Sequence, residues 1–514
     1  MNGSFADGTI DPEDMAVLDE NCEYFGLKKS LLMENAGRAI IETLKIKVGS
    51  LEDKRIVVVA GIGNNGGDGF VAARHAAAEA GEVSVILLGR SEDIRTEESK
   101  ANWKILERMF AKVRLYIASD PSSFNELREL VHNADVVIDA IFGTGMRGRI
   151  REPYSAGIDA INSSKGLKVA VDIPSGIDPT TGEILDKAIK ADITVTFHRT
   201  KTGLQKRMDH AGEITVAPIG IPLDFETLVG PGDLRRAIKP RAPHSKKGDF
   251  GRILVVGGGV EYSGAPALVA LASLRMGTDV VIVAAPKSVA DIIRGFSPNL
   301  IVRKLSGDYL VMEDLPLLEK MIVQTTSIVV GPGLGLEKET RETVLELLRI
   351  IDKPLLVDAD AIKALSAEPP LLRGKRAVIT PHAGEFSALT GKPMAEQIKL
   401  RERMRQVGEA AHDLGTTILL KAHEDIIANG QLMKINLTGN PGMTVGGTGD
   451  VLSGIAAAFL GWDVEPFKAA CAAAFVSGRA GDLAKSERGY HLVATDVIDK
   501  IPYAIKEWDR ELRV

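Results

Sequence analysis

Two aspartates sit where runs of glycine and apolar residues would press a carboxylate against a nucleotide. Asp450 follows Gly446, Gly447, Thr448 and Gly449 and leads into the apolar stretch Val451-LSGIAAAFL. Glycines ahead of a helix expose backbone N–H groups that, with the helix dipole, hold an anion. Phosphoryl transfer needs a base near the acceptor hydroxyl and donors around the phosphoryl group, and this segment offers both. Completing a helix dipole is the plainer role for such an Asp, but the flanking glycines exceed what that role requires. Asp172, in Val171-Asp-Ile-Pro-Ser-Gly176, ends an apolar run. Ligands of open α/β sheets bind outside that carboxyl edge. Partial burial there suits a carboxylate to acid/base work; capping the next turn is the structural alternative.

Further glycine segments lie at the ends of other apolar runs. Gly61-Ile-Gly63-Asn64-Asn65-Gly66-Gly67-Asp68-Gly69 fits G-x-G-x-x-G and reads as a turn between a strand and a helix. The second run ends in Gly89-Arg90-Ser91 without an acidic residue, so an ordinary dinucleotide dehydrogenase is disfavoured. Asn64, Asn65 and Asp68 are also more polar than a phosphate turn needs. Phe142-Gly143-Thr144-Gly145-Met146-Arg147-Gly148 follows a run containing Asp139; free N–H groups and Arg147 suit a phosphate there. A solvated loop is the bland alternative. His382 is either a packing or hydrogen-bonding residue or a ligand contact. Asp358 and Asp360 either contact Mg²⁺ or cap a helix. No G-x-x-x-x-G-K-[ST] occurs, and no His/Cys/Asp grouping has metal-ligand spacing.

These residues need a scaffold, and the sequence supplies an alternating one. Arg55–Ala60, Val83–Gly89, Ala134–Gly143, Leu167–Pro174 and Asp192–His198 read as strands, with a helix over Gly69–Gly81. The segment 229–252 is rich in Pro, Gly and basic residues and reads as a linker or strap. The pattern then restarts: Arg252–Gly257, Val280–Pro286, Ser327–Gly331, Pro354–Asp360, Ala377–Pro381 and Thr416–His423 read as strands. Helices are expected at Ala265–Met276, after Asp450 and over Phe467–Lys485. Continuous apolar strands between helices predict parallel sheets covered on both faces. The expected division is two α/β domains, 1–235 and 236–514, with residues 1–14 a frayed extension.

Length agrees, since 514 residues exceed one hydrophobic core. Lys+Arg 63 against Asp+Glu 69 leaves −6, which excludes a generally basic nucleic-acid binder but not a local phosphate pocket. Two cysteines, Cys22 and Cys471, make no disulfide framework and point to a reducing compartment. No apolar run approaches the ~18 residues of a membrane span, and the N-terminus lacks the pattern of a signal peptide.

Leu32-MENA-Gly37, GNNGGDG, the Asp139 run with FGTGMRG, and VDIPSG together resemble the NAD(P)H-hydrate epimerase domain, over about residues 15 to 225. That resemblance implies a Rossmann-like parallel-sheet sandwich that interconverts R and S NADHX and NADPHX, reduced nicotinamides carrying water at ring C6. It implies that Asn64, Asn65, Gly66, Gly67 and Asp68 line the substrate, and that Gly143, Thr144, Gly145, Met146, Arg147, Gly148 and Arg149 hold its phosphates. Tyr154 would touch the substrate, Asp172 would be the acid/base, and Asn65, Asp139 and Ser175 would bind K⁺. Amide, carboxylate and hydroxyl oxygens are hard donors suited to such a cation. Met146 replaces the family's usual aliphatic residue, a volume-tolerant change.

YSGAPAL, GPGLG, LLVDADA, TPHAGEF and NPGMTVGGTGD resemble a second family, the ribokinase-like ADP/ATP-dependent NAD(P)H-hydrate dehydratases, over about residues 240 to 505. The implied reaction phosphorylates the C6 hydroxyl of the S hydrate and eliminates phosphate, with ADP or ATP and Mg²⁺. Hydroxide leaves poorly and phosphate well. By resemblance Ala265, Gly333 and His382 contact the hydrate and Asp450 is the base. Lys421, Ala422, His423, Glu424 and Asp425 would hold the adenine nucleotide, with Gly446, Gly447, Thr448 and Gly449 facing its phosphates. The family commonly has Gly after the Lys, whereas Ala422 follows Lys421 here. The cysteine usage, charge and absence of a long apolar run point to a cytoplasmic protein that touches neither membrane nor nucleic acid, and Ala-rich helices such as 467–484 suit the subunit contacts of a homo-oligomer. Two rivals are a sugar or vitamin kinase fused to a dinucleotide-binding module and a non-catalytic nucleotide sensor. The first leaves VDIPSG and GNNGGDG unexplained; the second leaves both candidate acids without work.

Overall fold

The computed structural model describes residues 8–145, 148–184, 186–394 and 399–509. The chain divides after Phe225 into two compact units. The first contains β1 (Thr9–Ile10), β2 (Arg55–Ala60), β3 (Glu82–Leu88), β4 (Val113–Ala118), β5 (Val136–Ala140), β6 (Leu167–Val171), β7 (Ile193–Phe197), β8 (Thr200–Lys201) and β9 (Glu213–Ala217). Seven of them form one sheet in the order β4-β3-β2-β5-β6-β7-β9, with every pairing parallel. Successive side chains of a strand face opposite sides. Ile56, Val58 and Ala60 accordingly join one apolar cluster, and Val57 and Val59 join another on the far face.

β1 and β8 form a separate parallel pair. The expected frayed extension is therefore corrected for residues 8–14. Ile10 is fully buried, and the Asp11 carboxylate accepts from Glu13 N at 2.8 Å to start helix Pro12–Tyr24. Residues 1–7 lie outside the described residues.

The helix expected at Gly69 starts instead at Asn64 and runs to Ala76, so the glycine segment is its first two turns rather than a turn ahead of it. Close packing is the reason. A Cβ on Gly66 would lie 1.9 Å from the Gly61 carbonyl oxygen, and one on Gly69 would lie 2.5 Å from Ala140 Cβ. Glycine costs helix propensity, but only glycine lets this helix lie against β2 and β5. The Leu32–Gly37 motif supports the same helix from outside. Glu34 holds Arg74 and His75, and a Cβ on Gly37 would strike Val71.

The second unit carries β10 (Arg252–Val256), β11 (Val280–Ala285), β12 (Ile301–Lys304), β13 (Ser327–Val330), β14 (Leu355–Val357), β15 (Ala377–Ile379), β16 (Thr417–Leu420), β17 (Asp425–Ala428) and β18 (Met433–Asn436). Their order is β12-β11-β10-β13-β14-β15-β16-β17-β18. Pairing is parallel through β16 and antiparallel at β17 and β18, a hairpin edge the sequence reading did not contain. Residues 229–252 are not a free linker. Val229 N donates to Ile435 O at 2.9 Å, and helix Pro231–Ala237 packs on helix Pro466–Arg488. The division after Phe225 thus precedes the boundary expected at 235, because the Pro231–Ala237 helix belongs to the second core.

Candidate active sites

In the first unit, Asp172 follows β6 in a left-handed conformation, φ 65°. That region is strained for a residue with a Cβ and persists only where the surroundings enforce it. Here they do. Asp172 N donates to Val195 O at 2.8 Å, while Asp172 Oδ1 accepts from Phe197 N at 3.1 Å, from Thr196 Oγ1 at 3.2 Å and from Lys201 Nζ. The Lys201 side chain is only 1% exposed, and its ammonium also donates to Phe197 O at 3.0 Å and Thr196 Oγ1 at 3.3 Å. Among the described residues these bonds all go to Oδ1, leaving Oδ2 of Asp172 for another partner.

Two more carboxyls lie within electrostatic reach of Asp172 and Lys201. Asp68 is partly buried on helix Asn64–Ala76, and Asp19 on helix Pro12–Tyr24. Burial, followed by the charges of Asp172 and Asp19, holds the Asp68 carboxyl well above the ordinary carboxylate range against the pull of Lys201. Burial likewise pushes Asp19 up to about 6, although Lys201, Lys29 and His198 draw it down. Neither Asp19 nor Lys201 was expected from sequence. The available signal was a lysine just beyond an apolar strand, which becomes a site residue only because the β1–β8 pairing buries it.

Asp139 is fully buried at the end of β5. Burial raises its carboxyl to about 6, although Ser175 Oγ (2.6 Å), Ser175 N (2.8 Å) and Ile141 N (3.3 Å) all donate to it. Ser175 Oγ also accepts from Phe142 N at 2.9 Å. Asn65 is buried with Nδ2 lacking a hydrogen-bond partner, and its Oδ1 approaches the Cα side of Gly143. The buried oxygens of Asp139, Ser175 and Asn65 Oδ1 are hard donors that fit a monovalent cation, whereas Asn65 Nδ2 is an N–H donor and does not ligate one. Tyr154 begins helix Tyr154–Ser163, with its ring 4.8 Å from that of Phe142 and its hydroxyl beside Gly89. The structure thus gathers Asn65, Asp139, Gly143, Ser175 and Tyr154 at the carboxyl edge of one sheet. Gly145 and Gly148 have open space where a Cβ would stand, and Arg149 is exposed. Met146 and Arg147 lie outside the described residues. Asn64 is exposed, whereas Gly66 and Gly67 face packing partners: a Cβ on Gly67 would meet Ser99 Oγ and Met33.

In the second unit, Asp450 lies in the first turn of helix Thr448–Gly461, whose N-cap Gly447 has φ 95°. Burial, and then the charge of Asp358, raises Asp450 to about 7, with Glu385 adding to the rise and Lys421 opposing it. Lys421 Nζ donates to Asp358 Oδ1 at 2.8 Å and would lie 3.4 Å from a Cβ on Gly449. Burial alone depresses the Lys421 ammonium, but Asp358, Glu385 and Asp450 hold it above its ordinary value. Asp358 accepts as well from Ser453 Oγ (2.6 Å) and Ala359 N (2.8 Å). Ala359 is another left-handed residue, φ 51°.

The helix-capping role expected for Asp358 and Asp360 is corrected. Asp358 is the counter-ion of Lys421. Asp360 accepts from Gly335 N at 3.0 Å and pairs with Lys363, and helix Asp360–Leu365 has no side-chain cap. The described residues hold no cluster of three or more His, Cys, Asp or Glu side chains able to take a metal. His382 caps helix Ala383–Thr390: its Nδ1 accepts from Gly384 N at 3.0 Å and Glu385 N at 3.3 Å, with the ring largely exposed. A Cβ on Gly333 would meet Tyr262 and lie 3.6 Å from Ala265 Cβ, so these expected residues are neighbours. Gly446 borders open space. Glu424 is committed to Arg403, and Asp425, raised to about 6 by burial, accepts from Ala422 N and Asn436. Ala422 and His423 remain exposed.

The Asp358–Lys421 pair gives a stability prediction. Removing one partner of a buried pair strands the other and typically costs about 3–5 kcal/mol. Lys421→Met is expected to lower the second unit's unfolding free energy by an amount in that range, and its denaturation midpoint with it. Denaturant unfolding checks this, and an unchanged midpoint would show that solvent already screens the pair.

A family model described as NAD(P)H-hydrate dehydratase matches residues 253–503, and one described as YjeF-related protein N-terminus matches residues 29–203. The chain is 45% identical over 503 residues to the bifunctional NAD(P)H-hydrate repair enzyme of Pyrobaculum aerophilum, covering 96% of this chain and 97% of that protein. It is 43% identical over 496 residues to the Archaeoglobus fulgidus protein of the same name, covering 96% and 98%. A crystal structure of ADP/ATP-dependent NAD(P)H-hydrate dehydratase from Bacillus subtilis, co-crystallised with ATP/Mg²⁺, is 26% identical, covers 54% of this chain and 96% of that one, and has a TM-score of 0.45.

Proposed function

The chain belongs to the bifunctional NAD(P)H-hydrate repair enzymes, and we propose that its first unit interconverts the R and S hydrates while its second returns the S hydrate to NAD(P)H at the expense of ADP or ATP. The observation that carries this reading is a recessed carboxyl group in each unit, Asp172 beside Lys201 and Asp450 beside Lys421, within a full-length family match. In the first unit Asp172 acts as the acid/base. Asn64, Asn65, Asp68, Tyr154 and the loop from Gly143 to Arg149 seat the substrate, and Asn65, Asp139 and Ser175 hold K⁺.

In the second unit Asp450 accepts the proton of the C6 hydroxyl as phosphate is transferred to it. Backbone N–H groups from Gly446 to Gly449 face the nucleotide phosphates, which bring Mg²⁺ with them. Ala265, Gly333 and His382 border the hydrate, and residues 421–425 lie along the nucleotide. Phosphate then leaves C6 as the N1 lone pair forms N1=C6, C5 gives up a proton to solvent, and the pair of that C5–H bond becomes C5=C6 while the π pair returns to N1. Joining the two activities makes sense because the second site consumes one epimer and the first replenishes it. Among the described residues no helix is long and apolar enough to cross a membrane. A cytoplasmic setting and a homo-oligomeric state belong to this proposal.

Incubating the full chain with mixed R and S hydrates, ADP or ATP, Mg²⁺ and K⁺ tests it. Recovery of the reduced-nicotinamide absorbance from the whole mixture is the expected result. Recovery of the S fraction alone, at the enzyme-free rate of epimerisation, would remove the first activity. A phosphorylated product that accumulates without any absorbance gain would instead favour a simple kinase.

The pH profile follows from Asp450. A base must be unprotonated, and kcat/KM reports the free enzyme. With the carboxyl raised to about 7, dehydration should rise about tenfold per pH unit below that value and level off above it. Initial rates at limiting S hydrate check this. A profile flat from about pH 5 to 8 would remove Asp450 from the role.

A further inference from the structure

Epimerisation needs a proton delivered on one side of the ring and a proton removed on the other, and Asp172 alone serves one of these. We propose that Asp68 is the second proton-transfer group of the first unit: it protonates the C6 hydroxyl as the C6–O bond breaks, and Asp172 takes the proton of the water that adds to the opposite ring face. This deepens the epimerase reading given above and rests on it.

Three features of the crevice lead to this assignment. First, the two carboxyls are in different states of engagement. Asp172 Oδ1 is held by an ammonium, a backbone N–H and a hydroxyl, whereas Asp68 makes no hydrogen bond or ion pair among the described residues. Asp68 is therefore free to engage a substrate hydroxyl, whereas one oxygen of Asp172 is already committed. Second, they come from different elements. Asp68 is on helix Asn64–Ala76 and Asp172 is at the end of β6, and these elements pack together. Third, the surroundings suit a ring that becomes positive. Asp19 and Asp172 both act on Asp68, Lys201 is the one cation opposing them, and Lys29 and His198 act on Asp19. Burial holds the Asp68 carboxyl above the ordinary carboxylate range, which agrees with a group that keeps a proton to donate.

The bookkeeping of atoms closes with water as the only co-reactant. The C6–O electron pair leaves with the oxygen, which departs as water carrying the Asp68 proton, and the N1 lone pair forms N1=C6. A solvent water then attacks C6 from the other face. Its oxygen pair forms the new C6–O bond, the π pair returns to N1, and its extra proton goes to Asp172. One proton has moved from Asp68 to Asp172, and exchange with solvent restores both groups. The reverse reaction uses the same two groups with roles exchanged. A ring-opening route would instead break N1–C6 and keep the original oxygen.

The test uses the full chain with K⁺ and without adenine nucleotide, so that the second unit is idle. R hydrate is incubated in H₂¹⁸O, and the S product is read by mass spectrometry together with the pH profile. The wild-type chain is expected to place one ¹⁸O at C6 per epimerisation. Asp68→Asn is expected to lower kcat for epimerisation about 100-fold, with KM changed less than about threefold, and to lose the alkaline limb of the profile. Asp68→Glu should restore that limb. Retention of ¹⁶O in the wild-type product, or an Asp68→Asn chain whose KM alone changes, overturns the inference. A wild-type chain that does not epimerise at all overturns the epimerase reading instead, so the two failures are told apart.

Discussion

Asp450→Asn should abolish nucleotide-dependent dehydration while leaving epimerisation intact. The expected fall in kcat for the S hydrate is about 10³-fold, within the usual contribution of a positioned base, or about 4 kcal/mol of transition-state stabilisation. Asn has nearly the shape of Asp, so the first turn of helix Thr448–Gly461 keeps its geometry and the Gly446–Gly449 backbone still faces the phosphates. The variant does not weaken the fold. Asp450 is raised to about 7 because burial and Asp358 disfavour its charge, so a neutral amide relieves repulsion inside the second unit. Thermal unfolding should therefore show a midpoint equal to or above that of the parent chain. Coupled assays with separated R and S hydrates check both halves. A loss of dehydration smaller than tenfold would mean that another group takes the hydroxyl proton, and a parallel loss of epimerisation would mean the activities are not divided between the units.

The edge strands β4, β9 and β12, which mix polar and apolar residues, were not read in the sequence, whereas the central strands were legible because they are short, continuously apolar and flanked by glycine. Such runs are unambiguous when both sheet faces are covered, as Ile56 to Ala60 illustrate. The hairpin of β17 and β18 was missed because Asp425–Ala428 and Met433–Asn436 are too short and too mixed to show a period of two. The glycine segment from Gly61 was misread for a different reason. Local propensity places glycines in turns, but Gly66 and Gly69 are in a helix because neighbouring backbone and side chains occupy the space of their missing Cβ atoms. That contact is tertiary, and no local rule contains it.

The sites divide the same way. Asp172 and Asp450 could be found because each ends or begins an element beside small residues. Lys201 could not, since nothing around Thr200–Lys201 says that β1 will pair with it. Asp19 is one of several acids on its helix and differs from Glu13 or Asp14 only in what it faces. His382 had two open readings, and the structure supplies a cap for helix Ala383–Thr390, which sequence position before A-G-E would have suggested. Strand-end motifs thus carry the reacting groups in plain view, whereas their counter-ions arrive from distant segments.

Asp172→Asn should abolish epimerisation and leave dehydration of the S hydrate at the parent rate. The expected fall is about 10³-fold, read as absorbance recovery that stops at the S fraction of a mixed sample. This variant, unlike the one at Asp450, disturbs its surroundings. The Lys201 ammonium is 1% exposed and pairs with Asp172, so the substitution strands a buried charge, at a cost of about 3 kcal/mol or more. Loss of activity through unfolding must be separated from loss of the base. Pairing Asp172→Asn with Lys201→Met does so, because the double variant removes both charges together. It is expected to recover most of the stability lost by the single change, since the two residues share one interaction. Its epimerisation should stay as low as that of the single variant, because an amide still cannot accept the proton. A stable double variant with restored epimerisation would move the base elsewhere in the crevice, with Asp19 the next carboxyl to examine.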